Sequence, residues 1–238
     1  MILAIDMGNS NIVIGGIDEA NTHFMERITT HTRKTDLEYA VSLKSILDLH
    51  HIATEDLEGA ILSSVVPPLN AVITEAVRKV TGLSCKLVGA GMKTGMNIRM
   101  DDPKHIGSDL IVDSVAAKAN YPLPIIVIDM GTATSITALD KNGDYVGGII
   151  HPGLRVSLNT LSGSTAQLPS IDLESPGRAL AKNTIEAMQS GILYGTAGML
   201  DGILSRMEKE LGSKATIVAT GGLARFVTPL CSHQIEFD

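Results

Sequence analysis

The sequence predicts an α/β fold made of two related lobes, and an internal repeat is the main reason. Residues Ile5-Asp6-Met7-Gly8 recur as Ile128-Asp129-Met130-Gly131, roughly half of the 238-residue chain further on, each time at the end of a short apolar run. In each half, strand-like segments are followed by alternating helical and strand-like segments, which is typical of a sheet covered by helices. We therefore expect a duplicated fold with lobes at residues 1–117 and 118–238.

Short apolar runs predict the strands of the first lobe, at residues 1–5, 11–17, 22–30, 59–66 and 85–88. Asp36 is the candidate cap of a first helix, whose apolar face would carry Leu37, Ala40, Val41 and Leu47. A second helix is expected over residues 70–80, after the prolines that stop the preceding strand. Residues 89–104, rich in Gly and Met, are expected to form a loop or an edge of the sheet.

The second lobe repeats this order after a helix at residues 108–119. Strands are predicted at residues 125–129, 132–139 and 144–150, and Asn142-Gly143 is a strong signal for a two-residue hairpin turn. A long helix should follow over residues 183–211, then a strand at 216–219 and a further helix after Gly221-Gly222.

Composition limits the classes of function that this chain can have. Aromatic residues make up only 3% and the formal charge is −7, so neither base stacking nor a basic surface for nucleic acid is expected. Two cysteines cannot support a disulfide framework and indicate a reducing compartment. The N-terminus lacks a basic signal-peptide region and the apolar runs are too short to span a bilayer. We expect a cytoplasmic protein without a membrane or nucleic-acid partner.

The first candidate site is the stretch Asp6-Met7-Gly8-Asn9-Ser10-Asn11. Glycine lets backbone N–H groups approach an oxyanion closely, and Asn and Ser side chains add hydrogen bonds. An aspartate there would repel phosphate unless a cation lies between them, so Asp6 indicates Mg²⁺ bound through water. An ordinary β-turn explains the same residues, but the second copy at Asp129-Met130-Gly131-Thr132 favours phosphate binding.

Gly107-Ser108-Asp109 lies at the predicted start of a helix, where backbone amides favour anions. One interpretation is an N-cap in which Ser108 or Asp109 only closes the helix. In the other, Asp109 accepts the proton of a substrate hydroxyl. Phosphoryl transfer through a loose transition state needs little early deprotonation, so a well-placed carboxylate of ordinary basicity is sufficient.

Asn183-Thr184-Ile185-Glu186 resembles a capping box at the start of the long helix. Beyond it, four glycines fall at spacings that place them along one helical face: Gly191, Gly195, Gly198 and Gly202. Each glycine costs a helix roughly 1 kcal/mol relative to alanine, so a backbone is expected to approach this stripe closely. A sheet packed within the same lobe and a second subunit explain the stripe equally well.

Several common signatures are absent from the sequence. It contains no Gly-x-Gly-x-x-Gly fingerprint, no Gly-Lys-Ser/Thr phosphate loop, no Gly-x-Ser-x-Gly elbow and no Cys/His spacing typical of zinc. Dinucleotide binding, P-loop chemistry and serine hydrolysis are therefore not indicated.

In combination these motifs resemble the type III pantothenate kinases of the acetate kinase, sugar kinase, Hsp70 and actin superfamily, over essentially the whole chain. Besides the stretches at Asp6, Gly107 and Asp129, the matching segments are Ser63-Ser64-Val65-Val66-Pro67, His151-Pro152-Gly153, Lys182-Asn183-Thr184, Gln189-Ser190-Gly191 and Ala219-Thr220-Gly221-Gly222. The resemblance implies duplicated ribonuclease-H-like (actin-like ATPase) lobes, each a mixed five-stranded sheet flanked by helices. It also implies a homodimer that phosphorylates pantothenate to 4′-phosphopantothenate with ATP, the first step of coenzyme A biosynthesis.

The resemblance also assigns roles to individual residues. ATP would be bound by Asp6, Met7, Gly8, Asn9, Ser10, Asn11, Ile12, Val13 and Thr132. Asp109 would accept the proton, Asp6 would hold Mg²⁺ through water, and Asp129 would bind a monovalent cation, K⁺ or NH₄⁺. Pantothenate would be met by Gly107, Ser108, Asp109 and Leu110, and by Thr184 across the dimer interface, which favours the second subunit as the partner of the glycine stripe.

Two positions depart from the family pattern. Relatives often carry arginine at the position of Leu110 and tyrosine at that of Met100, and leucine cannot pair with a carboxylate as arginine does. One alternative is therefore a kinase for another small hydroxylated acid. A nucleotide-binding regulator without catalysis is the other, and the retained Asp6, Asp109 and Asp129 argue against it.

Overall fold

The computed structural model describes residues 1–89 and 91–237, and it contains two five-stranded mixed sheets flanked by helices. The strands of the first sheet are β1 (Ile2–Met7), β2 (Asn11–Ile17), β3 (Thr22–Thr29), β4 (Gly59–Ser64) and β5 (Cys85–Leu87). Those of the second are β6 (Ile125–Met130), β7 (Ala133–Leu139), β8 (Tyr145–Pro152), β9 (Thr216–Thr220) and β10 (Glu236–Phe237). The helices are α1 (Asp36–Leu49), α2 (Asn70–Thr81), α3 (Ser108–Asn120), α4 (Leu154–Gly163), α5 (Thr184–Leu211) and α6 (Ala224–Val227). This confirms the predicted fold class.

The two sheets have the same strand order. The first is arranged β3-β2-β1-β4-β5 and the second, read in the matching direction, β8-β7-β6-β9-β10. In each, three strands form an antiparallel meander and the next strand pairs in parallel with the first strand of that meander. The chain divides into two compact units, residues 1–92 with 104–112, and residues 93–103 with 113 onwards. The lobe boundary at residues 117/118 stays a prediction.

Helix α1 corrects one detail of the sequence analysis. Thr35, not Asp36, is the N-cap, because its hydroxyl accepts from the Glu38 backbone N–H while the Glu38 side chain accepts from the Thr35 backbone. Leu37 and Val41 are 61% and 59% exposed, so the predicted apolar face is wrong for these two residues. The buried stripe is instead Tyr39, Ala40, Leu43, Ile46 and Leu47.

Tyr39 explains which face of α1 is buried. Its hydroxyl donates to the His31 carbonyl at 3.0 Å and accepts from the His31 N–H at 2.9 Å, so the ring is turned inward with its polar end satisfied. A buried aromatic ring contributes more apolar area than either exposed aliphatic side chain would. The helical periodicity of the sequence is compatible with burial of either face, the one with Leu37 and Val41 or the one with Tyr39 and Leu43.

In the second unit, α5 packs an apolar stripe onto the sheet. Leu193, Ala197, Leu200 and Leu204 are buried in one cluster with the central strand residues Ile126 and Ile128. The glycine stripe lies on a different face of this helix, and Gly191, Gly195 and Gly198 are exposed. Among the described residues, nothing lies within 4 Å of the position that a Cβ would occupy at these three glycines. The sheet of the same lobe is therefore not what approaches the stripe.

Two elements were missed by the sequence analysis. Helix α4 follows Gly153 directly and is rich in Ser, Asn and Thr, residues that weaken a helical signal. Strand β10 is only two residues long and pairs in parallel with β9. An element of this length has no periodicity of its own, so its pairing is decided by the tertiary structure.

The loop at residues 93–103 is held to the second unit. Arg99 Nε donates to the buried Asp144 carboxylate at 2.7 Å, and Asn97 Nδ2 donates to the other oxygen at 2.9 Å. The Arg99 N–H also donates to the Tyr145 carbonyl at 2.8 Å. These contacts fix the segment that carries Met100, which is itself 37% exposed.

The C-terminal segment is fastened to α5 through Asp201. Its carboxylate accepts from the N–H groups of Ser232 and His233, and from His233 Nδ1 at 2.8 Å. Burial raises the pKa of Asp201, but these hydrogen bonds outweigh the burial and lower its pKa to about 2. His233 Nε2 also lies 3.7 Å from Glu208. The ionised Asp201 carboxylate is therefore a stabilising group.

No helix in the described ranges combines the length and the apolarity that crossing a bilayer requires.

Neutralising Asp201 is expected to destabilise the protein in a pH-dependent way. At pH 7, Asp201→Asn should lower the free energy of unfolding by roughly 2 kcal/mol, the value of a pKa shift of nearly two units. Because the folded pKa lies below the unfolded one, this stabilisation is fully present above about pH 4 and is lost as the pH falls toward 2. Urea unfolding at several pH values measures the difference between variant and parent.

The control is Asp48→Asn, because the Asp48 ion pair with Lys44 is solvent-exposed. It should change the free energy of unfolding by less than about 0.5 kcal/mol. A difference between Asp201→Asn and the parent that stayed constant from pH 7 to pH 2 would contradict the assignment.

Candidate functional site

The first half of the candidate site is the turn between β1 and β2. The Gly8 N–H donates to the Asn11 carbonyl at 2.9 Å and closes the turn. Thr30, directly after β3, stabilises this turn, since its hydroxyl donates to the Gly8 carbonyl at 2.7 Å and its N–H to the Ser10 carbonyl at 3.0 Å. The turn is thus rigid, and its exposed residues are Asn9, Ser10 and Asn11.

Not every residue of this stretch presents a side chain to a ligand. Met7 and Ile12 are 0% exposed and belong to the hydrophobic core, and Val13 is half-buried. Any contact of Met7 or Ile12 with ATP would have to come from the backbone.

Asp6 lies one residue before the end of β1 and is paired in register with Ser63 of β4. Its side chain is exposed, yet burial among protein atoms is the largest influence on the carboxyl and raises its pKa. A hydrogen bond from Ser63 lowers the pKa, and the nearby Asp109 charge raises it. The Asp6 side chain is therefore open to water on one side and surrounded by protein atoms on the others.

Asp109 is the second residue of α3 and is half-buried. One oxygen of its carboxylate accepts from the Leu110 N–H at 2.8 Å. The preceding Gly107 leaves room for it, because a Cβ there would overlap the Asp109 carboxylate. The structure therefore brings Asp6 and Asp109 close enough for their charges to interact, at the ends of elements that are far apart in the sequence.

Ser108 joins the start of α3 to the end of β4. It is 7% exposed, and its hydroxyl accepts from the Ser64 N–H at 2.8 Å and donates to the Ser64 carbonyl at 2.9 Å. Ser63 Oγ donates to the same hydroxyl at 3.2 Å. Sequence reasoning assigned no role to Ser63 or Ser64, although the pair of serines at a predicted strand end was visible.

The second unit repeats this arrangement at the end of β6. Asp129 is half-buried and is paired in register with Thr220 of β9, as Asp6 is with Ser63. The Gly131 N–H donates to the Ala133 carbonyl at 2.9 Å and closes the turn that exposes Thr132.

Two glycines press against this turn, and sequence reasoning gave neither a role. Gly221 has φ +91°, and a Cβ there would lie 2.7 Å from the Met130 carbonyl oxygen. A Cβ on Gly153 would overlap the carbonyl oxygens of Gly131 and Thr132, and the Gly153 N–H donates to Thr132 O at 3.1 Å. Only glycine permits these approaches. In the sequence, the glycines of the His-Pro-Gly and Thr-Gly-Gly stretches were the signal that could have indicated this close approach.

Thr184 is the first residue of α5, where Asn183 caps the helix by accepting from the Glu186 N–H at 2.9 Å. It is exposed and borders an apolar hollow of about 430 Å³, together with Leu161, Leu168, Ala187, Met188, Gly191 and Ile192.

The donor sets suit hard cations that share their coordination with a ligand. In the part of the chain that the structure describes, no three His, Cys, Asp or Glu side chains converge on a metal position. Mg²⁺ is usually held by one or two carboxylates together with water and substrate phosphates, and Asp6 is a carboxylate of the kind that could take part in such a site. Asp129 offers one carboxylate in the same way.

Comparison with solved structures first defines the fold of the protein. The fold is that of the actin-like ATPases. The chain is 14% identical to the activator of the 2-hydroxyisocaproyl-CoA dehydratase from Clostridium difficile, solved with bound ADPNP, over 100% of this chain and 88% of that one, with a TM-score of 0.58. A Campylobacter jejuni protein assigned to the Baf family of transcriptional activators gives 16% identity, 99% and 90% coverage and a TM-score of 0.59. At such identities the likeness concerns the fold alone.

Sequence relatives are much more similar. The model of the type III pantothenate kinase family matches residues 2–206. The type III pantothenate kinase of an Exiguobacterium species is 44% identical over 96% of this chain and 89% of its own. That of Moorella thermoacetica is 42% identical, with 96% and 90% coverage. The chain belongs to the type III pantothenate kinase family, a family of phosphotransferases.

Adding one methyl group at Gly221 is expected to disrupt the turn at Thr132. Gly221→Ala should lower the free energy of unfolding by about 3 kcal/mol, because the residue has a positive φ and its Cβ would meet the Met130 backbone. Urea unfolding measures the loss. The control is Gly163→Ala, since Gly163 is exposed and nothing lies within 4 Å of its added Cβ. Equal stability of both variants would contradict the close approach.

Proposed function

We propose that this chain phosphorylates pantothenate to 4′-phosphopantothenate with ATP, the first step of coenzyme A biosynthesis. The observation that carries the proposal is the pair of carboxylates, Asp6 near the end of β1 and Asp109 at the start of α3, whose charges interact. One acid is suited to the cation of the nucleotide and the other to the acceptor hydroxyl. Membership of a family whose relatives are named type III pantothenate kinases identifies pantothenate as the acceptor.

In this proposal the two turns bind ATP. Residues 6–13 form one phosphate loop, with the exposed Asn9, Ser10 and Asn11 offering polar groups, and Thr132 supplies a contact from the second turn. Rigid turns are useful here because donors that are already oriented lose little entropy when the nucleotide binds.

Asp109 is the proposed proton acceptor, and residues 107–110 with Thr184 are the proposed pantothenate contacts. Asp109 is half-buried at a helix start, where a correctly placed carboxylate can take the hydroxyl proton as the phosphoryl group arrives. Leu110, also half-buried, can contact apolar atoms of the acceptor but cannot pair with its carboxylate.

Asp6 would hold Mg²⁺ through water, and Asp129 a monovalent cation, K⁺ or NH₄⁺. When bound, these cations neutralise the charge of the transferring phosphoryl group. Asp6 and Asp129 occupy equivalent register positions beside Ser63 and Thr220, which supports equivalent cation-binding roles.

A second candidate is a kinase for another small hydroxylated acid. Leu110 favours it, because an apolar side chain next to the proposed base suits an acceptor with less charge near its hydroxyl. Both candidates use the same catalytic groups, so the choice of acceptor separates them. A non-catalytic regulator would have no use for the three carboxylates.

The proposal predicts pantothenate-dependent ADP release that requires K⁺ or NH₄⁺ and fails with Asp109→Asn. Loss of the proton acceptor should reduce kcat by about 10²- to 10⁴-fold. Initial rates are measured with pantothenate, pantetheine and sugar acids, and with K⁺ replaced by Na⁺.

Asp48→Asn, an exposed carboxylate change in the same unit, is the control and should keep the parental rate. Near-parental turnover by Asp109→Asn would remove this residue from the mechanism. A better rate with a sugar acid than with pantothenate would favour the second candidate.

We also propose that the protein acts as a homodimer in the cytoplasm. The exposed glycine stripe of α5 and the apolar hollow beside Thr184 form a surface that a second copy could cover, and burying it would remove apolar area from water. Both cysteines are free thiols, as expected in a reducing compartment, and burial raises the pKa of each, that of Cys231 to about 12.

A bulky residue on the stripe is expected to break the dimer. Gly195→Leu should produce monomers in sedimentation velocity experiments and raise the KM for pantothenate, because Thr184 would no longer reach the partner's site. Glu210→Leu places a leucine on an exposed position of α5 off the stripe and should leave the dimer intact. Unchanged sedimentation of Gly195→Leu would locate the interface elsewhere.

A further inference from the structure

The Ser108 hydroxyl is engaged by protein groups. A serine hydroxyl offers one donor hydrogen and two acceptor lone pairs. Here the hydrogen goes to the Ser64 carbonyl at 2.9 Å, one lone pair accepts from the Ser64 N–H at 2.8 Å, and the other lies 3.2 Å from the Ser63 hydroxyl. The side chain is also only 7% exposed. Its hydrogen and one lone pair are taken by Ser64, so the contact of residue 108 with pantothenate that we propose comes from the backbone.

The partners of Ser108 show what the hydroxyl does instead. Strand β5 ends at Leu87, which is paired with Leu62 of β4, so no strand continues alongside Ser64. The Ser108 hydroxyl satisfies both backbone groups of Ser64 in the place where a neighbouring strand would otherwise do so. The first turn of α3 is thereby fastened to the end of β4.

Ser63 extends this link to the first acid. It is 5% exposed, lies in register with Asp6, and its hydroxyl reaches both the Asp6 carboxylate and Ser108. With one hydrogen it can donate to only one of them at a time, and a bond to an ionised carboxylate is the stronger. The two serines therefore connect the strand that carries Asp6 with the helix that carries Asp109.

We infer that Ser63 and Ser108 are a positioning pair, which sets the distance between Asp6 and Asp109 and acts on the reaction only through these two carboxylates. The inference rests on the proposed function for its chemistry but on the hydrogen bonds alone for its geometry. Asp109 is bonded directly to Ser108 in the chain, so a shift of the helix start moves the carboxylate. A displacement of about 1 Å in a reacting group costs up to about 100-fold in rate.

Ser108→Ala tests the inference through the separation of kcat from KM. It should lower kcat for pantothenate phosphorylation by about 5- to 50-fold while the KM for pantothenate stays within about twofold, because the acid is misplaced and no substrate contact is lost. Ser63→Ala removes one bond of the link and should lower kcat in the same direction by a smaller factor. Ser42→Ala is the control, since the half-buried Ser42 donates only to the Glu38 carbonyl within α1 in the hydrogen bonds described.

The position of the α3 start can also be tested without any substrate, so this test does not depend on the identity of the acceptor. Amide hydrogen exchange over residues 108–112 should become about fivefold faster or more in Ser108→Ala, and remain parental in Ser42→Ala. If the parent protein phosphorylates a different acid, the proposed function fails and the same kinetic comparison is made with that acid.

Two results would overturn the inference. An increase in KM with kcat retained would show that Ser108 contacts the acceptor directly. Parental kcat and parental exchange in Ser108→Ala would show that the link does not position α3. If Ser108→Ala does not fold, Ser63→Ala tests the inference by the same kinetic comparison and the same hydrogen-exchange measurement.

Discussion

The proximity of the Asp6 and Asp109 carboxylates is the constraint on which the rest of the candidate site depends. Two like charges at the end of one sheet repel each other, and the repulsion contributes to the raised pKa of Asp6. Hydrogen bonds of the buried Ser63 and Ser108 and of Thr30 stabilise the segments that carry the two carboxylates. Such stored unfavourable interactions are typical of functional sites and are less common in structural ion pairs.

The duplication places a carboxylate and a glycine turn at the same position in both sheets. In both units the carboxylate is the penultimate residue of the central strand, the turn is closed by the N–H of a glycine, and a hydroxyl residue of the parallel neighbour lies in register. The units differ in how the turn is supported. Thr30 braces the first turn by hydrogen bonds, whereas Gly153 and Gly221 press their backbones against the second. The duplicated carboxylate turn is therefore stabilised in two different ways.

Fold and family contribute different information about function. The actin-like fold is shared with proteins whose names describe different activities, so the fold alone does not define a reaction. The sequence relatives define the phosphotransferase family, and the carboxylates with their hydrogen bonds show how the chemistry could proceed. Leu110 is the position at which the sequence analysis expects a departure from the family pattern.

The sequence by itself determined all the described strands except β10, the repeat, the long helix and the residues that could carry charge at the site, because apolar periodicity and glycine–carboxylate turns are local signals. Only the tertiary structure decided which face of α1 is buried, since Tyr39 needed His31 as its partner. It also decided that Ser108 faces Ser64 rather than solvent, and that Gly153 and Gly221 must be glycine. These features depend on contacts between segments distant in sequence, and no local pattern encodes such contacts.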